Sequence, residues 1–144
     1  MIKISEVVTI SRPPADVFAF MANLDNIPKW NGEVESFTIA TPGPTRVGSQ
    51  FVEHTKVASS RITVHCAVTD FTPSSRIVFV GESTPLDFEF AYTLEPAGAG
   101  TKLSLQGQVT PKGFMALLAP LMAGEIRSGG RKGLTAVKAN LETM

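Results

Sequence analysis

The segment from Pro111 to Met144 constrains the fold most, because it is the one long helix-patterned stretch in a chain patterned elsewhere mostly as strand. Phe114, Leu118, Leu121, Met122, Ile126, Leu134, Val137 and Leu141 recur at helical spacing. Gly124, Gly129, Gly130 and Gly133 fall inside the same stretch, each disfavoured by up to ~1 kcal/mol against alanine in a helix interior. A helix pressed along its whole length onto a sheet has little use for them. A helix crossing the mouth of a curved sheet, with room left for a ligand, tolerates them. Pro120 removes an internal hydrogen bond, so a kink or break is expected between Met115–Ala119 and the main helix.

The preceding residues supply the sheet. Residues 2 to 11 alternate polar and apolar, as a first strand would. Pro13 and Pro14 suit the first turn of a short helix over Ala15–Ala22, and Asn23 or Asp25 can cap a second one ending near Trp30. Six further strands are expected at Glu33–Ala40, Ser49–Val57, Arg61–Phe71, Arg76–Glu82, Leu86–Glu95 and Thr101–Thr110. Turn residues separate them, among them Thr41-Pro-Gly-Pro, Ala58-Ser-Ser and Pro96-Ala-Gly-Ala-Gly. Short connections between consecutive strands imply an antiparallel meander. One amphipathic helix cannot cover seven flat strands, so the sheet must curl around it. The 144 residues are expected to form a single domain, 1–144.

Composition narrows the partners. Thirteen basic and thirteen acidic residues cancel, and no arginine cluster is present, which argues against nucleic acid. One cysteine and two histidines make neither a disulfide framework nor a structural zinc site, so no metal or cofactor is expected. No apolar run approaches the ~18 residues of a membrane span. The start, MIKISEVVTI, lacks the continuous apolar core of a signal peptide, so a cytoplasmic setting is expected, as monomer or homodimer.

Several segments carry a family resemblance. The stretch from Pro13 to Trp30 resembles the proline-started helix and tryptophan-ended segment that open START-like proteins. Val47-Gly48-Ser49, the crossing from Val68 to Phe79, Gly100-Thr101 and Lys112-Gly113-Phe114 are similar to later landmarks of that superfamily. The chain is identified as a member of its polyketide cyclase/dehydrase-like branch, also called SRPBCC, over essentially its whole length. The resemblance implies an α+β helix-grip fold: a seven-stranded curved antiparallel sheet around a long C-terminal helix, with two short helices between strands 1 and 2. It implies a cavity for lipids, hormones or polyketides but brings no shared catalytic motif, because fold does not imply function.

Alternation then nominates a cavity lining. From the sheet it takes Phe51, Val64, Cys66, Phe79, Phe88, Phe90, Tyr92 and Leu103; from the C-terminal helix it takes Leu117, Leu121, Met122 and Ile126. Trp30 either lines the rim or plugs that end of the sheet. Glu53 is in phase with Phe51 and Thr55 and is, with Tyr92, a candidate acid or base, although the rarity of unpaired buried glutamate favours an outward placement beside His54. Arg127 can reach into the cavity toward a ligand carboxylate or lie solvated near Glu125, the commoner fate of arginine. His54 and His65 fall on the outer phase. Binding of a small hydrophobic or aromatic molecule is the leading expectation. A cyclase- or dehydratase-type enzyme and a partner-protein module are the alternatives.

Overall fold

The computed structural model describes residues 1–57 and 60–143. Strand β1 (Ile2–Ile10) leads into α1 (Pro14–Ala22), a 3-10 turn (Leu24–Asn26) and α2 (Ile27–Trp30). Pro13 holds the extended cap of α1 and Pro14 occupies its first turn, where a missing N–H costs nothing. Of the two cap candidates Asn23 acts, its side chain accepting from the Asp25 N–H at 3.1 Å. Strands β2 (Val34–Ile39), β3 (Gln50–Val57), β4 (Ser60–Thr72), β5 (Arg76–Glu82), β6 (Leu86–Ala97) and β7 (Gly100–Pro111) follow. The expected turn at Ala58-Ser59 lies outside the described residues.

All seven strands form one antiparallel sheet in the order β1-β7-β6-β5-β4-β3-β2, so the first strand closes onto the last. Register irregularities between Val34 and Ser36 and between Val68 and Asp70 mark bulges, which bend a sheet and increase its twist. Two glycines let aromatic rings lie flat on the concave face. A side chain on Gly81 would overlap the Phe88 ring, and one on Gly107 would begin 2.6 Å from the Phe90 ring. The two rings stack at 4.7 Å.

The C-terminal segment breaks where Pro120 requires. Helix α3 (Phe114–Leu117) is a single turn and α4 (Ala119–Glu142) begins after Leu118, so Pro120 stands in the first turn of the new helix. Leu134, Val137 and Leu141 of α4 are buried in the core with Ile10, Val17 and Met21. The helix packs chiefly against β1 and α2. Polar side chains fasten it there: Arg127 Nε donates to the Lys3 carbonyl at 3.0 Å and Lys138 Nζ to the Thr9 carbonyl at 2.8 Å, while Arg131 pairs with Glu6. These bonds use carbonyls of an edge strand that would otherwise be open to strand addition. The result is the helix-grip arrangement, with the helix held at one margin of the sheet. Among the described residues, no helix is long and apolar enough to cross a membrane.

Candidate functional site

Because α4 leans on β1 and α2, the inner faces of β3 to β6 look across a gap at the helix. The gap is a cavity of about 150 Å³, open on one side. An apolar hollow of that size accommodates a benzene-sized ring. On the helix side its wall is the stripe Ile126, Gly129, Gly130 and Gly133, spaced as one helical face. Glycine keeps that wall thin. On the sheet side stand Phe51, Val64, Phe79, Phe88, Phe90 and Tyr92, and Trp30 closes one end from α2.

Trp30 is buried at 5 % exposure and borders the cavity, so its two anticipated roles merge. Its ring meets Tyr92 edge-on at 5.5 Å and Phe79 at 6.4 Å. Its Nε1–H is buried without a hydrogen-bond partner among the described residues. A buried donor without a protein partner costs roughly 1–3 kcal/mol.

Glu53 turns inward. Strand β3 buries Phe51, Glu53 and Thr55 in alternation, and Glu53 is 5 % exposed on the cavity wall. The outward placement that burial statistics favoured is therefore corrected: pairing of β3 with β4 opposite Val64 fixes the register, and the carboxylate follows. Its Oε1 accepts from the Cys66 thiol at 3.3 Å. Burial pushes the Glu53 carboxyl above the ordinary carboxylate range, and the Cys66 hydrogen bond opposes that shift. Burial also raises the Cys66 thiol and the Tyr92 hydroxyl, and the nearby Glu53 charge adds to both. Cys66 is thus a neutral thiol behind the wall, supporting Glu53 rather than lining the cavity.

Other nominated residues lie elsewhere. Leu103 and Met122 are buried in the core away from the cavity. Leu117 and Leu121 point to solvent at 76 % and 82 % exposure. The break at Leu118 resets the helical phase, and a residue adjacent to Met122 sits about 100° around the helix from it, so Leu121 cannot share its inward face. Arg127 is spent on β1, away from the cavity. His54 faces outward with Nδ1 3.1 Å from Thr63 Oγ1. Sequence reasoning missed the entrance residues Asn31, Glu33, Lys56 and Glu125. Polar and close to loops or helix turns, they carry no periodic signal. Leu86 and Val109, also in the lining, were readable from strand alternation.

Residues 1–142 match the family described as polyketide cyclase/dehydrase and lipid transport. No curated protein matches the chain in sequence. A solved protein from Thermus thermophilus superposes with a TM-score of 0.84 at 16 % identity, covering 98 % of this chain and 97 % of that one. A START superfamily protein from Mycobacterium smegmatis gives 0.79 at 16 % identity, over 98 % and 99 % of the two chains. An aromatase/cyclase, Zhui, from a Streptomyces species gives 0.78 at 15 % identity, over 97 % and 93 %. At such identities the structures share the fold alone. With the family match spanning nearly every residue, the chain belongs to the polyketide cyclase/dehydrase and lipid transport family.

Proposed function

We propose that this protein binds a small, largely apolar or aromatic molecule in the cavity between α4 and the inner face of β3 to β6. The observation that carries this reading is the juxtaposition of a glycine-thinned helix with an aromatic wall around about 150 Å³ of open space. A single aromatic ring buries on the order of 150–250 Å², worth roughly 4–6 kcal/mol at ~25 cal/mol/Å². That corresponds to about millimolar affinity or somewhat better before association costs, which reduce it further. Tighter binding therefore needs a polar contact in the wall, for which Glu53 is placed.

The test is an NMR titration with toluene. Saturable shifts confined to Trp30, Phe79, Tyr92 and their neighbours are expected. Shifts that never saturate, or that map to the exposed side chains of α3, would overturn the proposal.

Acid–base catalysis of the cyclase or dehydratase kind is the second reading. It is favoured by one observation: a buried carboxyl, Glu53, that shares the cavity wall with a tyrosine, Tyr92. In that reading Glu53 takes or returns a proton while the aromatic wall orients the substrate. A module that binds a partner protein has less support, because the interior that it would leave filled is hollow.

A further inference from the structure

We propose that the occupant of this cavity is a small organic cation: a protonated amine carried on an aromatic or aliphatic body. The inference rests on the binding reading and names its ligand class. It begins with a buried carboxyl that lacks a charged partner. Glu53 belongs to none of the ion pairs among the described residues, and its one side-chain hydrogen bond comes from a neutral thiol. Ionising a carboxyl held this deep requires an opposite charge or extensive hydrogen bonding, which a cationic guest would bring. The protein supplies neither from the inner faces around it.

The remainder of the wall suits the same guest. The faces of aromatic rings attract cations, and Trp30, Phe51, Phe79 and Tyr92 form a connected ring cluster on the side of the cavity that holds Glu53. The remaining charge in the lining leans the same way: Glu33 and Glu125 stand against Lys56 alone, all three exposed. A benzoate-like anion would meet net negative charge.

Three probes of nearly equal size test the proposal on the full chain at neutral pH: benzylamine, benzyl alcohol and benzoate. Affinities come from NMR titration. Benzylamine is expected to bind about tenfold or more tighter than benzyl alcohol, the gain of a hydrogen bond to a charged group, with benzoate weakest. Glu53→Gln should abolish the preference for the amine, and Glu95→Gln, remote from the cavity, should keep it. Equal affinity for alcohol and amine in the unmodified protein overturns the inference while leaving cavity binding intact. An amine preference that survives in a folded Glu53→Gln variant overturns it too. If none of the probes binds, both the inference and the binding proposal fall.

Discussion

Replacing the glycines of α4 by alanine, one at a time, separates two reasons for their presence. Gly124 and Gly129 have open space where a side chain would start, with no neighbouring atom within 4 Å. Alanine there gains helix propensity of up to ~1 kcal/mol and meets nothing. Unfolding entropy of about 2.1 cal/mol/K per residue gives about 0.3 kcal/mol/K for 144 residues, so each change should raise Tm by about 3 °C. At Gly130 the new carbon would sit 2.9 Å from Ile4 Cγ2 and 3.3 Å from Leu105 Cδ2. Overpacking of that kind costs about 1–3 kcal/mol, which cancels or exceeds the propensity gain. Gly130→Ala should therefore leave Tm unchanged or lower it by up to about 6 °C. Gly133→Ala meets the Trp30 carbonyl oxygen at 3.3 Å, a backbone atom with little freedom to yield, and should lose its gain as well. Thermal unfolding followed by circular dichroism reads the series. Gly129→Ala should also weaken toluene binding, since its methyl enters the cavity wall. A Gly130→Ala variant as stabilised as Gly124→Ala would refute the close approach of α4 to β1 on which the position of the cavity depends.

Two further outcomes follow from the same geometry. Burial raises the Glu53 pKa above its unfolded value, so its contribution to stability is fully present below the unfolded value of about 4.3 and is lost as pH rises through the folded one. The stability of Glu53→Gln relative to the unmodified chain should therefore increase as pH rises from about 4 through the folded-state value and then level off in the ligand-free protein. Asp87 and Glu142, which are shifted downward by Lys112 and Lys138 respectively, act in the opposite direction but cancel in the comparison. A pH-independent difference in Tm would refute the burial of that carboxyl. Gly81→Ala should destabilise by about 1–3 kcal/mol, because the new methyl overlaps the Phe88 ring, and should enlarge the chemical-shift changes at Phe90 stacked on it. A neutral effect on denaturant midpoint would show that the ring does not lie over the glycine.

The strand alternation, the prolines that open α1 and interrupt the C-terminal segment, and the glycines of α4 were all readable from local pattern, because each reflects the chemistry of a few adjacent residues. They sufficed for an antiparallel meander with a long C-terminal helix and for a sheet face rich in aromatic side chains. Glu53 was harder. Its phase with Phe51 pointed inward, whereas the general cost of burying a carboxylate pointed outward, and only the pairing of β3 against β4 decided between them. Leu117 and Leu121 show the same limit: the break at Leu118 separates Leu117 from the phase of α4, and Leu121 lies about 100° around α4 from the buried Met122, so both are exposed. Periodicity along the chain determined which side chains share a face. Which face looks into the cavity was decided by strand register and by the margin of the sheet on which α4 rests, both set by contacts between residues far apart in sequence.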